Sequence, residues 1–476
     1  MNVKVVKFGG SSLADAKQIT KAADIIKSDD RRRYVVPSAP GKRFSDDIKV
    51  TDMLYNCNKL AMENQSIDAA FTAIADRYNG IIKDLGLDLS LDREFDEIKK
   101  NISAKAGSEY AASRGEYLNG IIVANLLGYE FIDAATVITF NEDGSFSSEK
   151  TQPKLREKLK NAERAVIPGF YGADVNGVVR TFSRGGSDVT GSIIANAVKA
   201  DVYENWTDVS GVLVSDPRIV DNPKPINTIT YRELRELSYM GATVLHEDAI
   251  FPVRSAGIPI NIKNTNSPED PGTMIVSEVS DDENNKYTIT GIAGKKGFAA
   301  INMEKAMMNS ELGFCRKVLE VLENNGISIE HMPSGIDTLS LIFPYSQIEG
   351  KEDEVLSQLR KAVAPDHIEL EKEIAMLAVV GRGMRRTRGT AARIFASMAH
   401  ARINVKMIDQ GSSELNVIIG IGESDFEEAI RRIYDMFINS VEYFKYKKGK
   451  GRFKASFLFN QVQDFLFRHH SAFSVH

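Results

Sequence analysis

Short apolar runs alternate with amphipathic stretches along the first 280 residues. Val3-Lys4-Val5-Val6-Lys7-Phe8 has the length and β-branched content of a strand, and Gly9-Gly10-Ser11-Ser12 ends it in a tight loop. From about Ala14 the positions Ile19, Ala22, Ala23 and Ile26 recur at helical spacing. Tyr34-Val35-Val36 predicts a second strand, stopped by Pro37. Residues 164–167, 178–182 and 202–206 predict three more, with a helix over 189–199. Strand, polar loop and helix in that order predict an α/β fold, a mainly parallel sheet between helix layers. Ligands bind such sheets beyond the carboxyl ends of the strands, where the polar loops of this chain fall.

The pattern changes after an acidic stretch, Ser280-Asp281-Asp282-Glu283-Asn284-Asn285, which reads as a linker. Strands are predicted at 298–303, 327–329 and 338–343, with helices at 313–324 and 352–363. A second copy has strands at 375–380, 403–408 and 414–421 and helices at 389–401 and 425–437. Two βαββα units in tandem are an internal repeat. The expected division is a catalytic domain over 1–280, a linker with one strand over 281–297, repeats over 298–370 and 371–444, and a tail over 445–476. Each repeat leaves a sheet face or edge in need of cover, which predicts pairing with the other repeat or across a homodimer or dimer of dimers.

Composition narrows the functional classes. A net charge of −5, with no basic stripe before the last thirty residues, argues against a nucleic-acid partner. The tail carries Lys447-Lys448-Gly449-Lys450-Gly451-Arg452-Phe453, and a docking or poorly ordered segment accounts for it better than a nucleic-acid site. Cys57 and Cys315 lie far apart, which argues against a disulfide framework or a zinc site and suits a reducing cytoplasm. No uncharged apolar run reaches membrane-spanning length, and the first strand meets glycines too soon for a signal peptide.

Four polar clusters follow successive strands or open helices. Lys7-Phe8-Gly9-Gly10-Ser11-Ser12 offers a lysine, two glycines and a helix start, a candidate anion cradle that matches neither a Walker A loop nor a dinucleotide fingerprint. Thr181-Phe182-Ser183-Arg184-Gly185-Gly186-Ser187-Asp188 brings a guanidinium, a hydroxyl and a carboxylate to a helix start, where Asp188 either caps the helix or takes part in chemistry. In Ser113-Arg114-Gly115-Glu116 the glutamate either offsets a helix dipole or pairs with a substrate ammonium group. Trp206-Thr207-Asp208-Val209-Ser210-Gly211-Val212, followed by Asp216-Pro217-Arg218, suits a ribose, base or phosphate.

Together these motifs resemble the aspartate kinase family. Ile167-Pro168-Gly169-Phe170-Tyr171-Gly172 and Ile262-Lys263-Asn264-Thr265 extend the resemblance, which runs from residue 1 to about 440 with the motifs in the family's order. The two C-terminal repeats resemble ACT domains, the family's amino-acid-sensing modules. The resemblance implies an amino-acid-kinase fold followed by two α+β ACT domains (βαββαβ). It also implies ATP with Mg²⁺, no metal held by protein side chains alone, and the product 4-phospho-L-aspartate, the first step toward lysine, threonine and methionine. By the same resemblance a strand over 287–293 completes the sheet of the second repeat, and the first repeat is inserted within the second.

The family's functional positions carry over as expectations. Lys7 and Asp188 are the catalytic candidates, and Gly9, Gly10, Ser11, Ser187, Thr207, Asp208, Asp216 and Arg218 hold the nucleotide. Ser38, Thr51, Glu116 and Arg184 hold aspartate, Glu116 on its ammonium group and Arg184 on its α-carboxylate. Met308, Ser328, Glu330 and Ser334 surround an effector, lysine or lysine with threonine, that acts as a feedback inhibitor. Two departures stand out: Thr243 replaces a family lysine in Gly241-Ala242-Thr243-Val244-Leu245-His246-Glu247, and extra residues Gly41-Lys42-Arg43-Phe44-Ser45-Asp46-Asp47 follow Ser38. A kinase acting on glutamate or N-acetylglutamate and a sensor without turnover are the competing readings. In Gly381-Arg382-Gly383-Met384, Arg386 stands where a dinucleotide site needs glycine.

Overall fold

The computed structural model describes residues 3–183, 185–242, 245, 247–279 and 288–439, with no account of the side chains of 247–250. Arg184, Thr243, the acidic stretch at 280–285, Tyr287 and the tail over 445–476 lie outside the described residues. The chain divides into two compact units. The first comprises Met1–Lys295, Met376–Arg386 and Gln410–Ile418. The second comprises residues 296–375, 387–409 and 419–439 of the described chain.

The first unit is built on an eight-stranded sheet. Its strands are β1 (Lys4–Phe8), β2 (Arg32–Pro37), β3 (Glu130–Phe131), β5 (Ala165–Val166), β8 (Val202–Thr207), β9 (Thr228–Thr230), β10 (Ile260–Asn264) and β11 (Thr273–Val276). They run in the order β3-β5-β2-β1-β8-β10-β11-β9. Every neighbouring pair is parallel except β10 with β11. A smaller sheet joins β4 (Thr139–Phe140), β6 (Tyr171–Asp174) and β7 (Val179–Thr181).

Alternation along β1 and β8 decides what each face of the large sheet carries. Val6, Phe8 and Trp206 enter the core formed with helices α1 (Ala16–Lys27), α2 (Val50–Met62), α3 (Asp68–Leu85), α4 (Asp92–Ser103) and α5 (Ser108–Leu127). Lys7, Tyr203 and Asn205 take the opposite face, covered by α8 (Gly186–Val198). Phe8 stacks on Trp206 with ring centroids 5.9 Å apart.

On that Trp206 side, Glu204 is a buried carboxylate that fixes three strands. Lys4 lies 2.6 Å from it, Arg32 Nε 2.8 Å, and Trp206 Nε1 donates to it at 2.9 Å. Burial pushes its carboxyl upward, but Arg32 and Lys4 outweigh that and hold it below the ordinary range. Glu204→Gln should therefore destabilise the first unit by about 3 kcal/mol, because buried Arg32 loses its carboxylate and Lys4 keeps only Asp29, 3.2 Å away. A lowered urea midpoint, followed by the fluorescence of the single Trp206, is the check.

The helix α9 (Tyr231–Tyr239) carries a second buried carboxylate, Glu233, in a capping box with Thr230. It also accepts from Thr290 Oγ1 at 2.5 Å, from Arg382 N at 3.0 Å and from Arg382 Nη1 at 2.8 Å. The Gly381-Arg382-Gly383-Met384 segment is thus a short helical turn anchored to α9.

In the C-terminal part the strands are β12 (Gly291–Glu304), β13 (Thr338–Pro344), β14 (His367–Val380), β15 (Val405–Asp409) and β16 (Asn416–Gly422), in the order β13-β12-β14-β16-β15. The helices are Phe314–Asn324, Glu352–Val363, Thr390–His400 and Phe426–Tyr434. Two strand expectations need correction. Strands expected separately at 287–293 and 298–303 are one strand from Gly291, because the backbone stays extended through Lys295 and Lys296. Residues 327–329 form no strand. The Ile327 N–H donates to Leu322 O at 2.9 Å and the Ser328 N–H to Gln347 Oε1 at 2.6 Å, and only isolated bridges His331–Ile342 and Ser334–Leu339 follow. Among the described residues no helix is long and apolar enough to cross a membrane.

Candidate active site

β1 delivers Lys7 to the carboxyl edge of the sheet, and the chain turns at once into the short helical turn Gly10–Leu13. Lys7 stands level with Asn205 on β8. Its Nζ lies 2.6 Å from Asp188 Oδ1 and 3.5 Å from Asn205 Oδ1, and Asn205 Nδ2 donates to Asp188 Oδ1 at 2.9 Å. One ammonium, one carboxylate and one amide therefore close a triangle at the end of the strand. The sequence does not single out Asn205, because a lone asparagine within a strand has no motif and its register opposite Lys7 exists only in the folded sheet.

Asp188 does not cap α8. Gly185, in the left-handed region, takes the N-cap position, and Asp188 lies in the first helical turn. Its main-chain carbonyl accepts from the buried Tyr203 hydroxyl at 3.1 Å, which ties the helix start to β8. Ser187 is buried against Gly169, where a Cβ would lie 2.6 Å from the serine's own Cβ. Glycine at 169 is what allows this close approach.

The amides of the loop after β1 differ in availability. Gly9 N–H donates to Trp206 O at 3.0 Å, so the sheet uses it. Gly10 and Ser11 open the helical turn, and their N–H groups have no acceptor inside it. Ser12 is buried and accepts from Thr265 Oγ1 at 2.7 Å.

Glu116 is not at a helix start. α5 begins at Ser108, and the acid in its first turn is Glu109, bonded to Arg180 and Thr181. Glu116 is buried in mid-helix, where dipole compensation has no force, and its Oε2 has no hydrogen-bond partner in the protein. Burial pushes its carboxyl up to about 8, against the pull of the Ala39 amide and the Arg114 charge. Asn119, one turn further along α5, donates to Ser38 O at 2.7 Å, and Ser38 N–H donates to Phe8 O at 3.1 Å. Ser38, Glu116 and the Lys7 strand are thereby brought together, with Thr51 in the first turn of α2.

The remaining nucleotide candidates are more open. Thr207 ends β8 and its hydroxyl donates to Asp208 at 3.2 Å. Asp216 pairs with Arg218 at 2.6 Å, and hydrogen bonds from that guanidinium hold its carboxyl below the usual range. Among the effector candidates, Met308 is buried at a short helical turn and Ser334 is exposed. Ser328 N–H bonds Gln347 at 2.6 Å, and Glu330 N–H bonds Ile342 O at 2.8 Å.

The site thus holds a buried carboxyl on α5, the Lys7–Asp188–Asn205 triangle at the end of β1, and two amides at the helical turn that follows. The profile of the amino acid kinase family matches residues 2–264 and that of an ACT domain matches residues 377–437. Aspartokinase 3 of Bacillus subtilis is 37% identical over 454 residues, covering 92% of this chain and 99% of the relative. The chain belongs to the aspartokinase family. The enzyme is therefore an aspartate kinase, a phosphotransferase with a carboxyl group as acceptor. The aspartate kinase of Clostridium acetobutylicum is 54% identical, with a TM-score of 0.85 over 92% of this chain and 100% of that one. Escherichia coli aspartokinase III, solved with aspartate and ADP, shares the fold at a TM-score of 0.67 and 23% identity, covering 91% of this chain and 99% of that one.

Proposed function

We propose that the triangle of Lys7, Asp188 and Asn205, facing the buried Glu116, is where the side-chain carboxylate of aspartate takes the γ-phosphoryl group of ATP. Two observations carry this reading: the strand-end Lys7 ammonium held by Asp188, and the buried Glu116 carboxyl, whose Oε2 has no hydrogen-bond partner in the protein. Glu116 takes the substrate's ammonium group, and Ser38 and Thr51 bound the pocket. Arg184 is the family's choice for the α-carboxylate. Gly9, Gly10, Ser11, Ser187, Thr207, Asp208, Asp216 and Arg218 form the nucleotide side, with Gly10 and Ser11 supplying the amides and Gly9 the space.

A carboxylate has a reference pKa of roughly 4, so the acceptor is already ionised near neutral pH and needs no general base. A carboxylate oxygen attacks the γ-phosphorus, the bond to the β,γ-bridging oxygen breaks, and ADP leaves with that electron pair. The difficulty is bringing one anion to another, which Lys7 eases by neutralising charge on the transferring group. Asp188 and Asn205 aim the Lys7 ammonium. Among the described residues no three His, Cys, Asp or Glu side chains group to cage a metal. Asp188, the carboxylate of the triangle, would be the protein group available to a magnesium ion carried in on the triphosphate. The chemistry such an ion would supply is neutralisation of phosphate charge.

Asn205→Leu should lower kcat about tenfold to a hundredfold, since a misaimed catalytic group costs that much, with KM values little changed. Steady-state kinetics with ADP release as the readout is the check.

The ACT repeat supports feedback inhibition by lysine, alone or with threonine, sensed near Met308, Ser328, Glu330 and Ser334. The reading makes the protein a cytoplasmic homodimer or dimer of dimers joined through these repeats. Aspartate-dependent ADP formation, measured with and without lysine and threonine, tests the whole proposal. No ADP above background with aspartate would end it, and turnover unaffected by either amino acid would end the regulatory part.

A further inference from the structure

We propose that Arg77 is a positioning residue for the phosphate loop, which it shapes by clamping Gly41 against Gly10. The inference rests on the reading of Gly10 and Ser11 as the phosphate cradle. Arg77 lies in α3 and is only 9% exposed. Its Nη1 donates to Ile48 O at 2.8 Å and stands 3.3 Å from Asp47 Oδ2. Its Nη2 donates to Gly41 O and, at 3.4 Å, to Ala14 O. One guanidinium thus gathers three carbonyls and a carboxylate from the two segments that flank the cradle.

The far side of the clamp touches the cradle itself. Gly41 N–H donates to Gly10 O at 2.8 Å. A Cβ at Gly41 would stand 2.5 Å from Gly10 C and 2.8 Å from Ser11 N, so the two backbones meet with no slack. Any outward shift of residue 41 must be felt at the Gly10 and Ser11 amides. Asp47 closes the arrangement, accepting from Arg43 Nε at 2.8 Å and Arg43 N–H at 2.9 Å. Packing of α3 needs none of this, because Phe71, Ile74, Tyr78, Ile81 and Ile82 already fill the core beneath it. A guanidinium buried at such desolvation cost, and spent on loop carbonyls, fixes the loop's conformation. The extra residues after Ser38 are therefore part of the nucleotide site's frame.

The test uses the full chain with Arg77→Lys, Asp47→Asn and Gly41→Ala. Arg77→Lys keeps the charge but cannot reach three carbonyls at once, and Gly41→Ala spoils the contact while leaving Arg77 intact. Each should raise the KM for ATP, and the Kd for Mg·ADP by calorimetry, about tenfold or more, with kcat held within about threefold. KM for aspartate should change less than KM for ATP. Folded variants with a lower Tm but unchanged ATP and ADP affinity would reduce Arg77 to a structural brace and overturn the proposal. If Arg77→Lys does not fold, Asp47→Asn and Gly41→Ala decide by the same criterion. A wild-type chain that makes no ADP with aspartate would defeat the functional reading instead, and Mg·ADP affinity alone would then decide the clamp.

Discussion

Lys7→Ala should lower kcat by about three orders of magnitude, the loss expected when a preorganised charge facing the transferring group is removed. The geometry makes the effect larger than loss of one cation. Lys7 Nζ holds Asp188 at 2.6 Å, with the lysine side chain 11% exposed and the aspartate 15%. Without the ammonium group, Asp188 becomes an unopposed negative charge beside the triphosphate. KM for ATP should therefore rise as well. The double variant Lys7→Ala/Asp188→Asn should recover part of the single variant's loss, a non-additivity that a double-mutant cycle measures directly. Asp188→Asn alone should cost about tenfold, because Asn205 still reaches the site and Lys7 loses only its closest guide. If Asp188→Asn turns over at the wild-type rate, Asp188 does not orient Lys7; if Lys7→Ala does so, the phosphoryl charge is neutralised elsewhere.

The elements that carry this chemistry differ in how far the sequence disclosed them. The strand and loop at Lys7–Ser12, the helix after Gly185 and the strand ending at Thr207 were legible because apolar periodicity and glycine punctuation are local signals. Their association was legible only through motif order. What remained hidden depends on partners distant in sequence. Asn205 matters because parallel pairing sets it opposite Lys7, and Arg77 because α3 folds under a loop some thirty residues upstream. The Gly9 amide illustrates the same limit: its sequence context suggests an anion ligand, but tertiary pairing gives its hydrogen to Trp206. Residues 327–329 failed as a strand for a related reason, since local propensity could not say that the Ile327 amide would turn back to Leu322 O and the Ser328 amide to the Gln347 side chain. Glu116 was legible as a carboxylate near a helix, whereas its environment, and so its proton affinity, was not.

That environment leads to the second large effect. Aspartate should bind more tightly as pH rises from 6 to 8, with KM falling by about tenfold per pH unit and levelling above 8. In the free enzyme burial raises the Glu116 carboxyl to about 8, so at pH 6 it is protonated. Accepting an ammonium group requires the carboxylate, and the proton must leave before the pair forms. The sign for stability is the reverse in the absence of substrate. A carboxyl whose folded-state pKa is raised contributes stability that is complete below its ordinary range and is lost as pH climbs through 8. Aspartate, by supplying the missing counter-charge, should therefore raise Tm more at pH 8.5 than at pH 6. Glu116→Gln should remove both trends and weaken kcat/KM for aspartate by roughly a hundredfold or more, the order expected for one buried ion pair left without its acid. A KM that stays flat from pH 6 to 8 in the wild type, or a glutamine variant with normal affinity, would place the ammonium group elsewhere in the pocket.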